Sequence, residues 1–137
     1  MFIEIKELKS AIYEYQMAEI SEGDNDILLC NIDAAVIEVK SYLRASYDVD
    51  KIFGATGKDR NPLILELTKS VAVWYIIRLS NVDIIYQQAE KRYQSAIDWL
   101  DKVRNGLPAD LPLATDTDGT VTSRSRFGSN EKFNSSF

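Results

Sequence analysis

The sequence predicts an all-α protein: an antiparallel bundle of about four helices with an extended C-terminal arm. Three observations predict it. The first is the stretch Pro62 to Leu79, whose second half, Val71 to Ile77, is apolar on every side. The second is a pair of apolar stripes at helical spacing, one on each side of that stretch. The third is a change of composition at Leu107, after which Pro, Ser, Asn and Gly replace the periodic pattern. Residues 1–106 therefore read as a helical body and 107–137 as an arm.

The stretch from Pro62 sets the frame. Asn61 suits an N-cap and Pro62 suits the first helical position. Glu66 near the start and Arg78 near the end complement the helix dipole. Asn81 is a plausible stop. The rod is roughly 27 Å long at the usual helical rise. A helix apolar all round is buried all round, so this one is expected at the centre with other helices about it. Glu66, Lys69 and Arg78 interrupt the apolar run, which is too short for a membrane span.

The other elements follow in chain order. Ile5 to Ile20 reads as a helix, with Leu8, Ile12, Tyr15 and Ile20 near one face and several glutamates on the rest. Gly23 ends it, and Asp24 or Asn25 caps the next. That next helix spans Asp26 to Arg44. Its stripe is Leu28, Ile32, Val36, Val39 and Leu43, widened by Leu29, Ala35 and Tyr42, and Ala34 with Ala35 would allow a close crossing. Cys30 lies in this pattern and reads as a small buried hydrophobe.

Ala45 to Asn61 is a long connection with apolar anchors at Tyr47, Val49, Ile52 and Phe53. Asp48 or Asp50 would cap a single turn through Phe53, leaving Gly54 to Asn61 as a polar, flexible tip. Connections of this length make contacts with other subunits or are tacked down by their own apolar residues. The last helix spans Asp83 to Asn105, with a stripe of Ile85, Ala89, Tyr93, Ala96, Leu100 and Val103. Gly106 caps it and Pro108 prevents continuation. The aromatic set Trp74, Tyr75, Tyr93 and Trp99 reads as core at this spacing. Leu107 to Leu113 is a rigid, extended linker. Thr120 to Phe127 alternates weakly and is a candidate short β-strand. The segment 119–137 is net +2, opposite in sign to the body, with Phe127, Phe133 and Phe137 spaced along it. Such a segment is polar enough to be unstructured alone, and its phenylalanines suit anchoring on another chain by strand addition or in pockets.

Composition narrows the function. The 137 residues suffice for one domain with a real core. There is no histidine, which removes the commonest general base and metal ligand, and with it any Cys-His zinc site or Ser-His-Asp triad within the chain. The six glycines form no phosphate loop. No cofactor or metal is therefore expected. A net charge of −5 disfavours a protein that grips nucleic acid. The single cysteine cannot form an internal disulfide, and the start MFIEIKELK lacks the features of a secretory leader, so a reducing cytoplasm is expected. Glu90, Asp98 and Asp101 are the nearest thing to a catalytic carboxylate set, and a solvated helix face beside Lys91, Arg92 and Lys102 explains them better. No helix carries the run of base-reading side chains that a helix-turn-helix protein needs. An assembly part, not an enzyme, is what remains.

Four segments, in order, add a resemblance. They are MFIEIKELKSAIYEYQMAEIS at the start, NIDAAVIEVKSYLRASYDVDKIF from Asn31 to Phe53, LILELTKSVAVWYIIRLSN from Leu63 to Asn81, and RYQSAIDWLDKVRNGLPADLPL from Arg92 to Leu113. Together they resemble the Mu-type bacteriophage head–tail connector proteins of the neck, relatives of the wider head-completion superfamily. The polar tail ending in Phe137 is also similar. The resemblance implies a structural virion protein, assembled in the host cytoplasm, with no enzymatic activity, cofactor or membrane partner. It implies a homo-oligomeric ring of about a dozen subunits below the portal protein, with a downstream neck or tail-completion protein beyond it. Packaged DNA would pass through the channel without specific binding, and an acidic wall suits that passage. Carried onto this chain, Val121 to Phe137 is the docking arm, with Val121, Arg124, Arg126, Phe127, Phe133 and Phe137 as its contacts. The loop Val49 to Lys58, through Val49, Ile52, Phe53 and Lys58, is the expected contact with a neighbouring subunit. The competing expectation is a cytoplasmic helical adaptor that binds one partner through its C-terminal tail.

Overall fold

A central helix organises the molecule, and the computed structural model describes it within residues 2–10, 23–78 and 83–114. Among these the order is a 3₁₀ segment at Ile5–Ser10, α1 at Asn25–Leu43, α2 at Val49–Gly54, a 3₁₀ turn at Gly57–Asp59, α3 at Pro62–Ile77 and α4 at Asp83–Arg104. Helix α3 packs against both α1 and α4, and α1 also touches α4, so the three long helices close a triangle. The fold is all-α, as the sequence predicts. Within the expected helix at Ile5 to Ile20, Ile5–Ser10 is 3₁₀, and the remainder lies outside the described residues.

Local chemistry fixes the helix ends. Gly23 has φ +79°, a left-handed turn that a residue with a Cβ adopts at a cost. The Asp24 carboxylate then accepts from the Asp26 backbone N–H at 2.9 Å and caps α1. Asp48 caps α2 by accepting from the Lys51 N–H at 3.1 Å. The Asn61 side chain accepts from the N–H groups of Leu63 and Ile64 at 3.0 and 3.1 Å, with Pro62 at the first helical position of α3. Gly106 takes φ +116° after α4. Its N–H reaches the Val103 carbonyl at 3.1 Å, and the Leu107 N–H reaches that of Lys102 at 2.9 Å. That is the paired Schellman pattern that ends a helix on glycine.

The core follows the stripes with corrections. On α1 the buried residues are Leu28, Ile32, Ala35, Val39 and Leu43, with Val36 only partly covered. Ala34 is exposed, so Ala35 alone faces the core. Cys30 is also exposed, contrary to the buried position expected for it. It lies on the side of α1 turned away from α3 and α4. On α3, Val71–Val73, Ile76 and Ile77 are buried, while Trp74 and Tyr75 are half-buried. Thr68 is fully buried and satisfied, since its hydroxyl donates to the Ile64 carbonyl at 2.7 Å. Helix α4 contributes Ala89, Ala96, Leu100 and Val103.

The connection between α1 and α3 is fastened at both ends. Phe53 is buried and meets Phe2 with ring centroids 4.7 Å apart. At the tip expected to be polar and flexible, Arg60 forks onto the Glu7 carboxylate at 2.8 and 2.9 Å and donates to the Phe2 carbonyl at 2.9 Å. The hydrogen bond from Arg60 holds the Glu7 carboxyl down to about 2, well below its ordinary value. A bidentate, half-sheltered pair of this kind ties the N-terminal segment to the entrance of α3.

Leu107 to Ala114 is not a free linker. Its backbone returns along the α1–α2 connection, where the Asp48 N–H donates to Pro112 at 2.9 Å and the Ala114 N–H to Ser46 at 3.1 Å. The Ala109 N–H donates to the Tyr47 hydroxyl at 3.1 Å, and Tyr47 and Leu113 form an isolated antiparallel bridge. The body thus extends to Ala114, eight residues past the boundary expected at 106. The proposed strand at Thr120 to Phe127 lies outside the described residues. A chain ending after Ala114 is expected to melt with the full-length protein. One ending after Gly106 loses four hydrogen bonds to the body, that of Leu107 to Lys102 among them, and the cover over Tyr47, a loss of about 2–5 kcal/mol. Thermal denaturation of the two truncations, followed by circular dichroism, checks this; coincident melting curves would return the boundary to 106.

Candidate interaction surfaces

The residues singled out for contact with a neighbour divide sharply. Val49, Ile52 and Phe53 are buried in the protein's own core, so their side chains hold α2 down and are not free for another subunit. Lys58 alone of that set is exposed, on the 3₁₀ turn. Val121, Arg124, Arg126, Phe127, Phe133 and Phe137 lie outside the described residues. Of the α4 carboxylates, Glu90 and Asp98 are exposed and Asp101 pairs with the Arg104 guanidinium one turn on. Among the described residues no group of three or more His, Cys, Asp or Glu is placed to hold a metal ion, and no helix is long and apolar enough to cross a membrane.

The described polar chemistry that joins the helices is internal. Glu38 on α1 accepts from the Tyr75 hydroxyl of α3 in a short hydrogen bond, and from the Tyr93 hydroxyl of α4 at 3.1 Å. One carboxylate thus ties all three long helices. The Arg78 guanidinium lies 4.5 Å from the Tyr75 ring centre. Trp74 stacks on Tyr93 at 5.7 Å and meets Tyr86 edge-on at 4.9 Å, which completes an aromatic layer around the carboxylate. Burial, reinforced by Glu38, pushes the Tyr93 hydroxyl up to about 12 and raises that of Tyr75 further. Phenols that donate to one carboxylate from two different helices hold those helices to α1.

Among the described residues, two surfaces of the long helices carry exposed apolar side chains. The first is the outer side of α1. Ile27, Cys30, Ala34, Ile37 and Ser41 recur at intervals of three and four, and all are exposed, Ile37 at 66%. An α-helix advances about 100° per residue, so this set points directly away from the buried set Leu28, Ile32, Ala35, Val39 and Leu43. It carries no charge. Its flank carries Asp26 and Asp33 toward one end, and Lys40 and Arg44 toward the other. The second surface is a groove of about 400 Å³ between α3 and α4. Its lining includes the apolar Leu63, Leu67 and Trp99 and the charged Glu66, Lys91 and Arg92. Leu63 is 49% exposed.

Neither the Glu38 tie nor the outer face of α1 was singled out from sequence. The second had a readable signal, since Ile27, Cys30, Ala34 and Ile37 repeat the helical spacing half a turn away from the core stripe. Comparison of the chain with protein-family models, with curated proteins and with solved structures gives no match.

Proposed function

We propose that this chain is a structural head–tail connector of a tailed bacteriophage, a subunit of a ring below the portal that extends the DNA channel and joins head to tail. The observation that carries the reading is the resemblance of four segments, in order, across almost the whole sequence. Three properties support it. The body is a helical bundle in which Glu38, Tyr75 and Tyr93 bond to one another across the three long helices. The described body exposes apolar side chains on two helical faces, Ile27 and Ile37 on α1 and Leu63 on α3, which suit packing against another chain. The net charge of −5 suits a wall that DNA slides past.

In this reading the segment from Val121 to Phe137 docks on the portal or on an adjacent subunit, with Arg124, Arg126 and the three phenylalanines as its grip. Ordering that segment on binding makes assembly depend on the partner. The protein works in the virion neck after assembly in the host cytoplasm. The test is the mass of the native assembly, by light scattering, with and without a portal protein. A closed ring of about a dozen subunits, formed or stabilised on the portal, is expected. A monomer indifferent to the portal overturns the reading in favour of an adaptor that binds one partner through its tail.

A further inference from the structure

We infer that the uncharged outer face of α1 is one half of a joint between copies of this chain, and that the other half is the groove between α3 and α4. The inference rests on the ring reading and assigns the faces that such a ring would use. A ring is a heterologous assembly, in which two different surfaces of one subunit meet on successive copies. Those surfaces must be complementary in shape and must point apart.

The two open surfaces meet both conditions. Helix α1 presents a convex ridge: Ile27, Ala34 and Ile37 project from it, and Ala34 keeps its middle low enough for a close approach. The groove is lined by Leu63, Leu67 and Trp99, of which Leu63 is exposed and the other two are half-buried. Their directions differ as required. On α3, Ile64, Thr68, Val71 and Tyr75 face α1, as the hydrogen bond from Tyr75 to Glu38 shows. Leu63, Leu67 and Ser70 lie about 100° round the helix from that face, so the groove opens away from α1. The ridge in turn points away from α3 and α4.

Charge sets the orientation. Tyr93 of α4 stacks on Trp74 of α3, so Lys91 and Arg92 line the groove at the end nearer Ser70. A ridge laid with its N-terminal half at Ser70 brings Asp26 and Asp33 toward Lys91 and Arg92. Among the described residues no ion pair within the chain engages Asp26, Asp33, Arg44, Lys91 or Arg92, so these charges are available. Rim pairs of this kind fix register more than they add affinity, and the apolar centre supplies the attraction.

The sequence supplies its own probe. Cys30 is the single cysteine, and it sits on the ridge. With Ala34 at the middle of the groove, Cys30 falls near Ser70. Ser70→Cys therefore places a second thiol at the joint. Mild oxidation of the concentrated full-length Ser70→Cys protein is expected to give a ladder of dimers, trimers and larger species on a non-reducing gel. Leu63→Cys, at the other end of the groove, is expected to give a weaker ladder. The unsubstituted chain has one thiol and stops at a dimer. Adding Ile37→Asp to Ser70→Cys removes the ladder while leaving the melting temperature unchanged, because Ile37 is exposed. Products no larger than dimers from both cysteine variants overturn the inference. The native mass separates the two readings: a closed ring without the ladder keeps the ring and overturns this joint, and a ladder without a closed ring keeps the joint and overturns the ring.

Discussion

Ile76→Ala is expected to lower the stability of the fold by about 4 kcal/mol. Ile76 is fully buried in α3, the helix that α1 and α4 clasp from two sides. Truncation removes three methyl or methylene groups and leaves a void. The void cannot close easily, because the buried Val71, Val73 and Ile77 neighbours and the two flanking helices are already packed. Trp74→Ala, two residues before it on α3, is expected to cost less, about 3 kcal/mol, because the indole is half-buried. What it loses is the stack on Tyr93 and the edge contact with Tyr86. Ile37→Ala, on the outer face of α1, is expected to change stability by less than about 0.5 kcal/mol. Urea denaturation gives all three, read as shifts in midpoint with an unchanged slope. A near-neutral Ile76→Ala would mean that α3 is not enclosed, and the three-helix arrangement would fall with it.

What the sequence made legible was whatever local chemistry decides. Asp24, Asp48, Asn61 and Gly106 announce helix ends because each bonds, or frees, backbone groups within a few residues of itself. The apolar spacing of α1 and α4 announces a face for the same reason. What it hid depends on meetings at long range. Glu38 reads as one more surface carboxylate until α3 and α4 bring Tyr75 and Tyr93 to it. Leu107 to Leu113 reads correctly as extended, yet nothing within it says that it lies along Ser46 to Asp48. The misplacement of Cys30 has a different cause. Helix α1 is apolar on two opposite sides, so side-chain type alone cannot say which side is the core. Val49, Ile52 and Phe53 posed the same ambiguity, since apolar residues in a connection serve equally well as anchors or as contacts. The presence of Phe2 opposite Phe53 decides for anchors.

That long-range tie at Glu38 yields the second large effect. Glu38→Ala is expected to cost about 2–4 kcal/mol, since two half-buried phenol hydroxyls lose their acceptor at once and three helices lose a shared link. The same network sets an alkaline limit. Both phenols have values raised above the ordinary 10, Tyr93 to about 12 and Tyr75 beyond it. In that range the folded state holds protons that the unfolded chain has released, so stability falls as pH rises. The contribution is fully present below about pH 10 and is lost as pH climbs through about 12. Unfolding free energy is therefore expected to hold steady on this account up to about pH 10 and to decline above it. Tyr75→Phe with Tyr93→Phe should flatten that decline, at the expense of lower stability near neutrality, where Glu38 is left without its donors. An ultraviolet absorbance titration of the phenols reads the effect directly. Of the seven tyrosines, two should stay protonated until the chain unfolds. If all seven ionise together near the ordinary value while the helical signal persists, the carboxylate does not hold these hydroxyls, and the three helices are joined by apolar packing alone.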